Sequence, residues 1–132
     1  MAEEHRAGDP DVHLLTNVQG AVGPTEVNAF QRASDVVIQK SIREGFGLTA
    51  SEAMWKKRPV IAGRAGGLRL QVKEGVTGYL VDSPDQCAGR ILELLRDENL
   101  RREMGEAAYA LVRERFLTVR ELTEYLELLG SL

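Results

Sequence analysis

Short apolar runs alternate along this chain with segments of helical spacing, and no other feature limits the possible folds as strongly. We predict strands at residues 12–15, 35–42, 60–62 and 78–81, because each run is apolar or β-branched and most are bounded by glycine or proline. Between them we predict a helix beginning near Thr25, a helix through Ala53 and a helical turn over residues 68–72. Strands that alternate with helices predict an α/β fold with a Rossmann-like parallel sheet flanked by helices.

The C-terminal part of the sequence has clear helix start signals. Ser83-Pro84-Asp85-Gln86 predicts a capping box before a helix that ends near Arg96, and Asp97 can cap the next helix. Thr118-Val119-Arg120-Glu121 is a second capping-box pattern, before a helix with one apolar stripe: Leu122, Tyr125, Leu126 and Leu129. The chain is therefore predicted to end in a helical region.

Composition excludes several classes of function. The 132 residues carry 17 Lys and Arg against 20 Asp and Glu, for a net charge of −3, which is ordinary for one globular domain and unfavourable for nucleic-acid binding. No apolar run approaches the ~20 residues that cross a membrane, and residues 1–10 do not resemble a signal peptide, so we expect a cytoplasmic protein. The lone Cys87 and only two histidines, His5 and His13, indicate no disulfide, metal or cofactor.

One segment, residues 44–53, contains glycines and carboxylates that a buried core does not require. It follows a predicted parallel strand and begins a helix, the place where open α/β sheets bind ligands. Gly45 and Gly47 let the backbone approach a ligand, and the first N–H groups of the helix suit a phosphate or diphosphate. Glu44 and Glu52 would repel a diphosphate, but as hydrogen-bond acceptors they suit sugar hydroxyls. A cation-only stretch, residues 53–73, is expected to lie against this diphosphate site; a solvated rim of a helix and two loops is the equal alternative on charge alone.

A purely structural interpretation of the same segment is open. Thr49 and Glu52 also form a capping-box pattern, so Glu52 could bond to the N–H groups of its own helix. Glu44 could pair with Arg43 or Lys40 on a surface turn. The residues by themselves do not choose between these interpretations.

The pattern of residues 44–53 resembles the signature of retaining nucleotide-sugar glycosyltransferases of family 4, which have the two-domain GT-B fold. Pro59-Val60-Ile61-Ala62, the Gly66-Gly67 pair and residues 74–81 are similar to the following strands and loop of that family. Residues 68–71 and the residues that flank the signature look most like trehalose synthases of the glycosyltransferring type. The resemblance implies a donor site of Glu44, Gly45, Phe46, Gly47, Leu48, Thr49, Glu52, Gly66 and Gly67.

The resemblance assigns these residues separate roles. Glu44, the candidate catalytic residue, would contact hydroxyls of the transferred sugar. The backbone of Gly47, Leu48 and Thr49 would hold the diphosphate, Glu52 would hold the ribose, and Gly66-Gly67 would lie beside the donor. The substrates would be a nucleotide-glucose (ADP-, UDP- or GDP-glucose) and a sugar acceptor, with glucose as acceptor giving trehalose.

The resemblance also implies that part of the enzyme is missing. We expect a flexible tail at residues 1–8, a truncated Rossmann-like C-terminal domain of a GT-B fold at residues 9–117, and a helix at residues 118–132 that would pack on an absent N-terminal domain. The family's diphosphate-binding cations have no match here, so we expect the chain alone to be catalytically inactive. An uncovered final helix would favour a homodimer, although packing on the core is an equal alternative. A freestanding nucleotide-binding or interaction module without catalysis is the second functional hypothesis.

Overall fold

The computed structural model describes residues 9–15 and 22–131, and its contacts divide the chain into two units, residues 1–30 and 31–132. In the first unit, a turn joins the Val12 N–H to the Asp9 carbonyl at 3.3 Å. Helix α1 (Pro24–Ala33) begins in this unit after Gly23, and its residues 31–33 belong to the second unit. Residues 12–15 form no strand, so that prediction is wrong. A strand needs a hydrogen-bonded neighbour, and among the described residues this short run pairs with none. The predicted tail, residues 1–8, lies outside the described residues.

The second unit contains a parallel three-stranded sheet and the helices around it. Its strands are β1 (Val37–Gln39), β2 (Val60–Gly63) and β3 (Gly78–Val81), in the order β1-β2-β3. The connections contain α2 (Leu48–Trp55) and α3 (Leu68–Gln71), and three helices follow the sheet: α4 (Pro84–Arg96), α5 (Glu98–Arg115) and α6 (Thr118–Gly130). The parallel α/β prediction is confirmed, and the carboxyl ends of all three strands lie at one edge of the sheet.

Alternate residues of the buried strands face two separate cores. Val60 and Ala62 pack with α2, α3 and the C-terminal part of α5, whereas Ile61 packs with Tyr79, Val81, α4 and the start of α5. Side chains alternate along a strand, so a central strand that is apolar at every position must be covered on both faces. This explains why all four residues of β2 are buried.

Two local predictions are corrected by the structure. The strand predicted at residues 35–42 is only three residues long, and Ile42 is 91% exposed, because the backbone leaves the sheet after Gln39. The capping box predicted at Thr118 is absent, because α6 begins one residue earlier, with Leu117 as N-cap and no side-chain cap. By contrast, Ser83 accepts a hydrogen bond from the Gln86 N–H, and Asp97 accepts one from the Leu100 N–H, as predicted.

Helix α6 buries none of its residues. The side chains of its apolar stripe are each about three-fifths exposed: Leu122, Tyr125, Leu126 and Leu129. The alternative in which this helix packs on the core is therefore wrong. No helix among the described residues has the length and apolar character needed to cross a membrane.

Candidate functional site

A glycine loop, residues 45–47, is the last part of the connection between β1 and α2, which begins at the carboxyl edge of the sheet. Gly47 is the N-cap of α2 and has φ of 91°, a left-handed conformation that other residues adopt only with strain. Its carbonyl accepts hydrogen bonds from the N–H groups of Ala50 and Ser51 at 3.0 and 3.3 Å. The N–H groups of Leu48 and Thr49 have no acceptor within their helix, so they remain available to a ligand.

The Gly66-Gly67 turn packs directly against the glycine loop. The Gly67 N–H donates to the Gly45 carbonyl at 2.8 Å. A Cβ on Gly66 would lie 1.7 Å from the Glu44 oxygen, and a Cβ on Gly67 would lie 2.6 Å from the carbonyl oxygens of Gly45 and Phe46. Only glycine therefore fits at both positions, and the two glycine motifs of the sequence form one structural unit.

Glu44 is half-buried at the start of the glycine loop. Its Oε2 atom accepts hydrogen bonds from Gln39 Nε2 at 2.7 Å and from Ser41 Oγ at 3.2 Å. Both bonds end on the same oxygen, and no hydrogen bond to Oε1 is found within the described part of the chain. The carboxylate is thus held in one orientation and keeps an acceptor oxygen for a ligand hydroxyl.

Glu52 lies one turn into α2, and its side chain is exposed. Its Oε2 atom accepts a hydrogen bond from Gln31 Nε2 at 3.3 Å, and Gln31 in turn accepts one from Lys56 Nζ at 2.7 Å. Gln31 is 5% exposed, so this support for Glu52 comes from inside the protein.

The structural alternatives left open by the sequence are both wrong. Gly47 is the N-cap of α2, so Thr49 lies inside the first turn and Glu52 bonds to Gln31 instead of closing a capping box. Glu44 bonds to Gln39 and Ser41, and it forms no ion pair with Arg43 or Lys40.

Three glutamines support the site, and sequence reasoning missed all of them. Gln39 holds Glu44, Gln31 holds Glu52, and Gln71 donates from its Nε2 to the Phe46 carbonyl. A polar residue at the end of an apolar strand was the available signal for Gln39. Gln71 likewise interrupts the apolar residues at positions 68, 70 and 72, and it is fully buried.

The prediction that the cations of residues 53–73 lie beside the glycine loop is wrong for several of them. Lys56, Lys57 and Arg58 precede β2 and line a cavity of about 410 Å³ together with Asp35 and Arg101. Since these residues precede β2, Lys57 and Arg58 lie at the opposite end of the sheet from the glycine loop. The Lys56 ammonium instead reaches back along α2 to Gln31 and to the Glu52 carbonyl. Arg64 follows β2, but its guanidinium pairs with Asp82 at 2.9 Å.

A second polar cluster lies between β3 and α4. The Arg90 guanidinium lies 4.2 Å from the centre of the Tyr79 ring and donates to Glu93 at 2.7 Å, while the Tyr79 hydroxyl donates to Glu93 at 3.0 Å. The hydrogen bond from Arg90 lowers the pKa of Glu93, and burial raises the pKa of the Tyr79 phenol. Each group already has a partner, so the cluster stabilises the packing of α4 on β3.

Comparisons with known proteins identify the fold and the family of the chain. The chain is 48% identical over 123 residues to "Trehalose synthase" from Thermococcus litoralis, a match that covers 93% of this chain and 30% of the relative. A crystal structure of Anabaena Alr3699/HepE in complex with UDP-glucose superposes with a TM-score of 0.72 at 30% identity, covering 81% of this chain and 30% of that one.

The C-terminal domain of a glycosyl transferase group 1 family protein (LpcC) from Francisella tularensis has the same fold. It superposes with a TM-score of 0.72 at 28% identity over 89% of this chain and 60% of that chain. The chain spans about 30% of the length of the curated relative, and its fold is that of a GT-B C-terminal domain. The sequence model described as "Glycosyl transferases group 1" matches residues 12–111, and the chain therefore belongs to that family.

Proposed function

We propose that this chain is the donor-binding part of a retaining glycosyltransferase that transfers glucose from a nucleotide-glucose to a sugar acceptor. The acceptor that we propose is glucose, which would give trehalose, and the setting that we propose is the cytoplasm. The observation that carries the proposal is the glycine loop, locked against the Gly66-Gly67 turn and flanked by two supported glutamates.

The glycine loop and the first turn of α2 suit the diphosphate of the donor. The N–H groups of Leu48 and Thr49 are unpaired within the helix, and the helix dipole adds partial positive charge at this end. The absence of a side chain at Gly47 lets Leu68 pack against the loop from behind, since an added Cβ would lie 2.6 Å from Leu68 Cδ2. A diphosphate bound here would lie at the carboxyl edge of the sheet, where α/β folds generally bind nucleotides.

The two glutamates suit the groups on either side of the diphosphate. Glu44 has one acceptor oxygen free, and we assign it to hydroxyls of the transferred sugar. Glu52 is exposed one turn along α2, and we assign it to the ribose. An ionised carboxylate binds hydroxyls strongly and repels phosphate, so these two residues would set the direction in which the donor lies.

Two relatives support the choice of substrate. The relative from Thermococcus litoralis is named trehalose synthase, and the Anabaena structure contains UDP-glucose. Because this chain spans about 30% of the first relative, we propose that acceptor binding and much of the stabilisation of the leaving diphosphate need the rest of the enzyme. We expect the 132-residue chain alone to form no measurable trehalose from ADP-glucose or UDP-glucose.

Calorimetry with ADP, UDP, GDP and inorganic diphosphate tests the proposal. The unmodified chain should bind at least one nucleoside diphosphate, and Glu52→Ala should weaken that binding about 10- to 100-fold because a charged hydrogen bond to the ribose is lost. The same variant should bind inorganic diphosphate as well as the unmodified chain does, because that ligand has no ribose.

Glu103→Ala is the matched control, since Glu103 is an exposed glutamate of α5 and its loss changes the net charge equally. This variant should bind all four ligands normally. If no nucleotide binds, the proposed donor-binding role is refuted, and the hypothesis of a freestanding interaction module is left standing. Equal nucleotide affinities of the Glu52→Ala and Glu103→Ala variants would show that the ribose role is wrongly assigned.

We also propose that the apolar stripe of α6 mediates a homodimer of the isolated chain. Its four side chains are about three-fifths exposed, and α6 buries none of its residues. Contiguous apolar surface of this kind favours association in water. Light scattering at high protein concentration should give the mass of a dimer, and a monomer would contradict this proposal.

A further inference from the structure

Two consecutive carbonyl groups of the glycine loop are held from one side. The Gly67 N–H donates to the Gly45 oxygen at 2.8 Å, and Gln71 Nε2 donates to the Phe46 oxygen. Both donors belong to one short segment, which consists of the Gly66-Gly67 turn and helix α3. The loop is therefore fastened to this segment at two adjacent peptide groups.

This fastening also fixes the direction of the N–H groups in the loop. A trans peptide group is planar, and its C=O and N–H bonds point in opposite directions. Because the Gly45 and Phe46 oxygens are turned toward α3, the N–H groups of Phe46 and Gly47 must point away from it. They join the free N–H groups of Leu48 and Thr49, and such a series of N–H groups favours an anion.

Gln71 lowers the stability of the fold relative to an apolar residue of the same size. It is fully buried, and its Oε1 atom has no hydrogen-bond partner among the described residues. Burying an amide that is only half satisfied opposes folding, whereas a methionine or leucine would fill similar space without that penalty. The amide is explained if the orientation of the Phe46–Gly47 peptide is needed for binding.

We propose that Gln71 is a positioning residue for the diphosphate of the sugar donor. By holding the Phe46 carbonyl, it keeps the Gly47 N–H directed away from α3, toward the ligand. Gln71 itself does not touch the diphosphate. This inference rests on the proposed function, since it requires that the glycine loop binds a diphosphate.

Titration of the ¹⁵N-labelled chain with inorganic diphosphate tests the proposal. Gln71→Met keeps the volume and removes the donor, and it should weaken binding about tenfold while the large shift of the Gly47 amide signal is lost. Gln86→Met is the matched control, because Gln86 Oε1 accepts a backbone hydrogen bond from Asp82 at 2.9 Å, away from the glycine loop. The control should bind diphosphate normally, even if its melting temperature falls.

A second variant separates positioning from folding. In Gln71→Glu, a buried carboxyl group would remain protonated at mildly acidic pH and could donate to the Phe46 oxygen, but it would lose that proton at higher pH. Its affinity relative to the unmodified chain should be near normal at about pH 5.5 and at least fivefold weaker at about pH 8. A ratio that does not change with pH would overturn the proposal.

The outcomes distinguish failure of the proposed function from failure of the role assigned to Gln71. If the unmodified chain fails to bind diphosphate at millimolar concentration, the proposed function fails and this inference fails with it. If the unmodified chain and Gln71→Met bind equally well and shift the Gly47 signal equally, only the role of Gln71 is refuted.

Discussion

Gly66→Ala should destabilise the protein by disrupting the contact between its two glycine motifs. Gly66 has φ of +45°, and an added Cβ would lie 1.7 Å from the Glu44 carbonyl oxygen and 2.8 Å from the Glu44 carbonyl carbon. Both neighbours are backbone atoms, so no side chain can rotate to make room. The Gly66-Gly67 turn and the glycine loop would have to separate.

The size of the effect follows from the geometry. Alanine in a left-handed conformation costs about 1 to 2 kcal/mol. Reaching even a tight contact of 3.0 Å requires the two segments to move apart by about 1.3 Å, which breaks the 2.8 Å hydrogen bond from Gly67 to Gly45. Losing that bond costs about 1 kcal/mol more, so we expect a total destabilisation of about 2 to 3 kcal/mol.

Gly75→Ala is the matched control for the backbone strain. Gly75 has φ of +70°, but nothing lies within 4 Å of the position of its added Cβ. Urea unfolding followed by circular dichroism should therefore show Gly66→Ala to be less stable than Gly75→Ala by at least about 1 kcal/mol. Equal stabilities of the two variants would show that the motifs do not pack as described.

Three further predictions concern other parts of the second unit. The hydrogen bond from Arg90 lowers the pKa of Glu93. The ionised Glu93 therefore contributes stability at neutral pH, and this contribution is lost as the pH falls through the lowered pKa. In urea unfolding, the stability of Glu93→Gln should fall less with acid than that of the unmodified chain. Gly89→Ala in helix α4 should stabilise the protein by about 0.5 to 1 kcal/mol in urea unfolding, because its Cβ meets nothing within 4 Å, and lower stability would contradict this. Leu126→Glu should convert the proposed dimer to a monomer in light scattering, because Leu126 lies in the exposed apolar stripe of α6. The same change should barely alter thermal unfolding at low protein concentration. A variant that still forms the dimer would exclude the stripe as the interface.

The sequence was sufficient to predict the two buried strands of the sheet and most helix boundaries. The strands at residues 60–63 and 78–81 are apolar at nearly every position because both faces are covered, and that pattern is visible without a structure. The helix starts at Ser83 and Asp97 were predictable because capping depends on neighbouring residues only.

Features that depend on tertiary contacts were predicted less well. Ile42 fits a strand by composition, but the chain turns away from the sheet before reaching it. The Thr49 and Thr118 patterns satisfy a capping-box motif that the backbone does not use, because each helix begins earlier. The cations of residues 53–73 are contiguous in sequence, yet β2 carries the chain across the sheet and divides them between its two ends.

The candidate site shows the same division. Glu44, Glu52 and both glycine motifs were identified from the sequence, since their residue types and order carry the signal. Gln31 and Gln71 were not, because their partners lie 21 and 25 residues away in the sequence. Gln39 was missed although Glu44 is only five residues away, because a strand's last side chain can point to either side of the sheet. Their roles are visible only once burial and hydrogen bonds are known.

The most direct test of the account is a map of backbone amide shifts in the ¹⁵N-labelled chain as ADP or UDP is added. The account predicts that the largest changes fall on residues 45–49 and on Gly66 and Gly67, which lie far apart in the sequence but are packed together in the structure. Changes centred on Lys57, Arg58 and Arg101, at the opposite end of the sheet, or no changes at all, would contradict it.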